Sequence, residues 1–167
     1  MVASELLVLA DTHLKPNTLS RMPSAVWMAA EQATAILHAG DVVCDELLDE
    51  LAAMAPLHAV LGNNDIAAIN AGDVGEGRIE TLPDTLVITV EGVEIAMVHD
   101  SGARKGRENR MQRCFPGSDV VVFGHSHEPV NVRTEHDQLL FNPGSPTQSR
   151  RQPHPSFGWL RICLLYT

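Results

Sequence analysis

Three short apolar runs open the chain at helix-length intervals: LLVLA at 6–10, AILHAG at 35–40 and LHAVLG at 57–62. Each is a continuous apolar stretch of strand length, so each reads as a buried strand. The intervening segments supply helices. Residues 18–33 place Val26, Ala29, Ala30 and Ala33 at helical spacing behind a Ser/Pro-containing lead-in. DELLDELAAM at 45–54 is amphipathic, with carboxylates in its first turn where they complement the helix dipole. A β-α-β-α-β order leaves little choice: the strands run parallel and are joined by right-handed crossovers.

The second half is patterned differently. TLVITV and VEIAMVH flank Glu91-Gly92, a hairpin signal. ENRMQRCF at 108–115 reads as a short helix ahead of a buried strand over Val120–Phe123. VNVRT and QLLFN flank EHD as a second hairpin, and SFGWLRICLLY closes the chain as a strand. Gly72 to Gly77 reads as an exposed loop. With no repeat, low-complexity segment or linker, the expectation is a single α/β domain over 1–167. It has a parallel half and an antiparallel half, built as two sheets face to face.

Aromatic residues make up only 4% of a chain that is 44% hydrophobic, so Leu, Val, Ala and Ile must fill the core. A net charge of −9 argues against a grip on long nucleic acid, though not against a small anion held locally. Cys44, Cys114 and Cys163 are odd in number and form no C-x-x-C, which points to reduced cysteines and a cytoplasmic protein. LLVLA is far too short to span a bilayer and follows no basic stretch, so no membrane anchor is expected. A strand-built homodimer through the second half is compatible with this pattern.

In open α/β sheets, functional groups gather just past the C-terminal ends of strands. Here those ends read Asp11-Thr12-His13, Gly40-Asp41, Gly62-Asn63-Asn64-Asp65, His99-Asp100, Gly124-His125-Ser126-His127 and Asn142-Pro143-Gly144-Ser145. Any one of them is unremarkable, since an Asp after a strand commonly caps a helix. Together they offer oxygen and imidazole donors with no thiolate, a mix that suits Mn, Fe, Zn or Ni better than Ca. Asp11, His13, Asp41, Asn63, His99, His125 and His127 exceed the needs of one ion. With a shared carboxylate they suit two ions roughly 3.5–4 Å apart. The D-x-H and H-x-H spacings would aim both donors the same way from an extended segment. Gly62 and Gly124 suggest close backbone approach. His38 and His58 read as structural or supporting residues, and Ser145 as a substrate contact. The basic stretch 101–113, with Arg104 and Arg107, reads either as a phosphate grip over the metals or as a solvated helix face.

ADTH, AGDVV, LGNND, MVHD and FGHSH, in this order, resemble the motif blocks of the calcineurin-like metallophosphoesterase superfamily. NPGS resembles its small bacterial and archaeal phosphodiesterase branch. The resemblance spans nearly the whole chain. It implies a four-layer α/β/β/α sandwich with two mixed sheets and a binuclear site at one end. By the same resemblance, Asp11, His13 and His127 would hold one metal and Asn63, His99 and His125 the other, with Asp41 bridging. A hydroxide between the metals would attack phosphorus in line. The function implied is a two-metal phosphodiesterase acting on small phosphate diesters, with Mn the first choice and Ni, Zn or Fe the alternatives. Asp41 and Asn64 would carry catalytic roles, and Asn64, Arg104 and Arg107 would contact the substrate. Two positions depart from the pattern. Asn64 stands where many members carry a His, and an amide is no general acid near pH 7. Asp100 follows His99 where a His-Gly-His is common, and its charge tilts the preference toward diesters. The superfamily also contains adaptors with degraded metal sites, which makes a non-catalytic binding protein the alternative. The complete set of seven donors speaks for the enzyme.

Overall fold

The computed structural model describes residues 3–73 and 77–163. Along β1 (Ala3–Leu9) successive side chains alternate between two dry environments. Leu7 and Leu9 face a core shared with α1 (Ser24–Gln32) and α2 (Asp45–Met54), through Val26, Ala30, Leu47, Leu48 and Leu51. Leu6, Val8 and Ala10 face a second core shared with the opposite sheet, through Ile95, Met97, Val122 and Phe141. This period-2 alternation with both faces covered is why the run is apolar throughout.

The first sheet has the order β3-β2-β1-β9. β2 (Ala35–His38) and β3 (Leu57–Ala59) lie parallel to β1, and β9 (Gly158–Cys163) pairs antiparallel on the other side of β1, with Leu6 opposite Leu160. The second sheet has the order β4-β5-β6-β8-β7, from β4 (Thr85–Val90), β5 (Val93–Val98), β6 (Val120–Val122), β7 (Val130–Arg133) and β8 (Leu139–Asn142). Its centre corrects the expectation of an antiparallel half, because β5, β6 and β8 run parallel. The two hairpins are present, but each only adds an edge strand, β4 or β7. The reason lies in the connections. α4 (Arg107–Cys114) makes a crossover between β5 and β6, and the second hairpin places its later strand inside. The far face of this sheet packs Ala96, Val121, Phe123 and Leu140 against Met111 of α4. Helices, sheet, sheet and helix therefore form four layers, as the resemblance implied.

Helix boundaries shift for local reasons. Residues 19–21 form one 3-10 turn, and α1 begins only after Pro23, ending before Ala33. α3 (Asn63–Ala71) has no counterpart in the sequence reading. Only Asp65 and Ala68 on it are buried, so it carries no apolar stripe to betray it. Of the expected loop 72–77, residues 74–76 lie outside the described residues, as do the last residues of the expected closing strand. Among the described residues, no helix is long and apolar enough to cross a membrane. Cys44 is buried, Cys114 and Cys163 are exposed, and all three are free.

Candidate metal centre

The strands β1, β2, β3, β5 and β6 deliver their following residues to one rim. Within each sheet the turns are tied to one another through the backbone. Asp11 N donates to Gly40 O at 3.0 Å, His13 N to Asp41 O at 3.0 Å and Gly124 N to His99 O at 2.9 Å. His125 N crosses between the sheets to Asp11 Oδ1 at 3.2 Å. The segments are not extended, contrary to the expectation from spacing. Asp11, His13, Asp41, His125 and His127 all have positive φ, between 46° and 69°. Non-glycine residues in this left-handed region cost on the order of 1–3 kcal/mol each and persist only where surrounding contacts hold them. A left-handed residue at each of these five positions turns the chain sharply, so His125 and His127 face different neighbours rather than one.

His127 joins Asp11 and His13. Its Nε2 lies 3.3 Å from Asp11 Oδ1 and 3.1 Å from His13 Nε2. His125 joins Asn63 and His99: Asn63 Oδ1 lies 2.8 Å from His125 Nδ1 and 3.1 Å from His99 Nε2. Asp41 sits between the groups, with Oδ2 3.6 Å from His13 Nε2 and 3.3 Å from His99 Nε2. Two sets, Asp11-His13-His127 and Asp11-Asp41-His99, each present donor atoms within 4.8 Å of one another. All seven candidate donors thus converge on one rim.

The ring orientations fit a cation. His99 Nδ1 donates to Ala39 O and His127 Nδ1 donates to Gln148 O, both at 2.7 Å. A carbonyl only accepts, so each Nδ1 carries hydrogen, and in the neutral ring this leaves an Nε2 lone pair facing the cluster, as in metal-binding histidines. Two lone pairs at 3.1 Å, His13 and His127, are satisfied by a proton or by a shared cation. Asp11 Oδ2 is buried with no hydrogen-bond partner, and an unpaired buried carboxylate oxygen is costly unless a cation takes it. Burial raises the Asp11 carboxyl to about 7, against the opposing charge of His99. Burial also pushes Asp41 upward, but the hydrogen bond and charge of His99 and two donors from Asn64 outweigh it and hold Asp41 well below the usual carboxylate range. Burial depresses His13 to about 4 and lowers His127, keeping both neutral. His99 goes the other way: burial lowers it, but Asp41 more than compensates. This donor set, carboxylates and imidazoles converging on one rim, fits a divalent metal.

Other expected residues land elsewhere. Asn64 donates its amide to Asp41 Oδ2 at 2.6 Å and its backbone N–H to Asp41 Oδ1 at 2.8 Å, so it positions Asp41 rather than facing outward. Arg104 and Arg107 line a cavity of about 420 Å³ whose walls include none of the seven donors. Arg107 lies over the Phe123 ring, 4.9 Å from its centroid. The structure does not bring these arginines to the cluster. Ser145, read as a substrate contact, is buried, with its hydroxyl donating to Asp11 O at 2.7 Å. His38 is fully buried against Thr12 Oγ1 at 3.1 Å, the supporting role expected of it. Two residues escaped the sequence reading. Asp65 accepts from the backbone N–H of Asp41, Val43 and Gly62 at 2.8, 2.7 and 2.8 Å. Its position two residues after Asn63 was the available signal. Arg150 donates to His125 O at 3.3 Å, and nothing in its local sequence marks it.

The calcineurin-like phosphoesterase superfamily domain matches residues 5–163 of the chain. A probable metallophosphoesterase of Methanothermobacter thermautotrophicus is 35% identical over 157 residues, 93% of this chain and 84% of that protein. A second, from Methanocaldococcus jannaschii, is 31% identical over 146 residues, 86% of this chain and 68% of that one. Among solved structures, wild-type Vps29 of Entamoeba histolytica complexed with Zn²⁺ superposes with a TM-score of 0.69 at 22% identity, covering 92% of this chain and 83% of that chain. At that identity the likeness speaks for the fold.

Proposed function

Since the chain belongs to the calcineurin-like phosphoesterase superfamily, a family that uses divalent metals, we propose that it hydrolyses small phosphate diesters with two cations. The observation that carries this reading is the convergence of two donor sets sharing Asp11, one of whose buried carboxylate oxygens has no partner. In this reading Asp11, His13 and His127 hold one cation, Asn63, His99 and His125 the other, and Asp41 spans both. Manganese is the first choice, with nickel, zinc or iron as alternatives. When bound, the cations supply a water ionised near neutral pH and positive charge against the phosphoryl oxygens.

The chain's own residues set the rest. Ala39 O and Gln148 O fix the tautomers of His99 and His127. Asn64 holds Asp41 in place through both its donors. As an amide, Asn64 has no proton to give a leaving group, so esters with acidic leaving groups turn over faster than alkyl esters. Asp100, exposed beside His99, adds negative charge and favours the singly charged diester over the doubly charged monoester. The other reading, a binding protein on the same fold, finds support in the likeness to Vps29 but leaves seven converging donors without a purpose.

The deciding experiment strips the protein of metal, reloads it with Mn²⁺, Ni²⁺, Zn²⁺ or Fe²⁺, and compares bis-p-nitrophenyl phosphate with p-nitrophenyl phosphate. Metal-dependent turnover of the diester, lost in Asp41→Asn and His125→Ala, is expected. Absence of turnover with every metal, and variants indistinguishable from wild type, would sink the hydrolase reading.

A further inference from the structure

The loop after β8 carries two arginines that belong to none of the motif blocks, Arg150 and Arg151. It is sewn to the metal-centre rim at three points. Ser145 Oγ donates to Asp11 O at 2.7 Å, Thr147 Oγ1 to Thr12 O at 2.6 Å, and Gln148 O accepts from His127 Nδ1 at 2.7 Å. Arg150 itself has a left-handed backbone, φ 49°, and its guanidinium reaches His125 O at 3.3 Å. A loop tethered this closely presents its side chains at a fixed place.

Between this loop and the β6 turn lies a cavity of about 380 Å³. Its walls are Ser126, His127, Glu128, Arg150, Arg151 and their loop neighbours. The volume falls in the range of small-ligand sites, roughly 300–1,000 Å³. His127, a candidate metal ligand, is part of the wall, so the cavity and the cluster share a residue. Its charge balance is positive. Glu128 also lines the neighbouring cavity and lies in the field of Arg107, which offsets it from the other side. Arg150 instead reaches the backbone of His125 at 3.3 Å, whereas Arg104 and Arg107 line the neighbouring cavity, whose walls include none of the seven candidate donors. A cationic side chain therefore reaches the rim from the 145–153 loop, and Arg104 and Arg107 do not.

We propose that this cavity is a subsite for the substituent of the substrate ester, and that Arg150 and Arg151 select a substituent bearing a negative charge of its own. It rests on the phosphoesterase reading and narrows it to diesters with a second anionic group, such as a further phosphate. Arginine suits this task because its planar fork bonds a phosphate through two parallel N–H groups.

A matched pair of substrates tests it: thymidine 5′-(p-nitrophenyl phosphate) with and without a 3′-phosphate, assayed with Mn²⁺-loaded protein. The wild type should favour the 3′-phosphorylated ester by about tenfold in kcat/KM, chiefly through KM. Arg150→Gln combined with Arg151→Gln should erase that preference while metal content and melting temperature stay unchanged. Arg150→Lys with Arg151→Lys should restore part of it, and Arg107→Gln should leave it intact. Calorimetric titration with thymidine 3′,5′-bisphosphate reads the subsite without turnover, and its affinity should fall in the Gln pair. Binding that falls in the Gln pair, in a protein that hydrolyses neither ester, would support the subsite and overturn the hydrolase. Turnover without a preference, or a preference that survives the Gln pair, would overturn the subsite alone.

Discussion

At Gly124 a single methyl group would reach the centre. A Cβ there would lie 2.9 Å from both Ala10 Cβ and Asp11 Oδ2, and 3.1 Å from Ala39 O. Gly124→Ala should destabilise the protein by roughly 1–3 kcal/mol, as overpacking does, and displace the Asp11 carboxylate. Bound metal per chain, measured by elemental analysis, should drop well below wild type; unchanged metal content would contradict the placement. His38 makes a different prediction. It is fully buried, and burial pulls its pKa from 6.5 to about 3. Above pH 6.5 it is neutral folded or unfolded and contributes no pH dependence. Below that, the unfolded chain takes up a proton that the native state refuses, so stability falls by roughly 1.4 kcal/mol per pH unit until about pH 3. Urea unfolding at pH 7, 6, 5 and 4 should show a shallower decline in His38→Gln than in wild type. Parallel declines would mean that His38 is not held neutral.

Asp65 acts between elements. Its carboxylate takes three backbone N–H groups, two from the turn after β2 and one from Gly62, the residue that precedes α3. Asp65→Ala would leave those donors buried without an acceptor, which should cost about 3 kcal/mol or more and loosen Asp41, so metal affinity should fall with stability. Asp65→Asn should be milder, because the amide oxygen still accepts. Denaturation midpoints of the two variants in the presence and absence of Mn²⁺ would read both effects. The same residue shows where sequence reading stops. The seven candidate donors could be picked out because each lies within a few residues of the end of a strand-forming run, and periodicity locates strand ends. α3 could not, because it buries almost nothing and its start is specified by contacts Asp65 makes with a turn more than twenty residues away. The parallel centre of the second sheet escaped for a related reason: hairpin signals say which strands pair, not which member lies inside. Arg150 was invisible because its place depends on Ser145 reaching Asp11, 134 residues earlier.

Taken as a whole, the molecule brings both sheets to one set of donors, so a cation there would clamp the two halves together. A ligand that binds only the folded state stabilises it by about 2.7 kcal/mol at a hundredfold excess over Kd. Removing divalent metal with a chelator should therefore lower the melting temperature by several degrees, and readdition should restore it. His13→Ala with His127→Ala should abolish that shift, and an equal shift in this double variant would contradict the clamp. The backbone of the rim adds something that chelation does not touch. Loops at strand ends ordinarily exchange their amide hydrogens with water quickly, through small local openings. Here the amides of Asp11, His13, Asp41, Val43, Asn64, Gly124 and His125 all donate to partners on neighbouring turns. None of these turns can open alone without breaking its neighbour's bonds, so their deuterium uptake should follow the slow cooperative opening of the strands. A centre held in this way would keep its shape for as long as the molecule stays folded, and an arriving ion would meet a receptacle already formed.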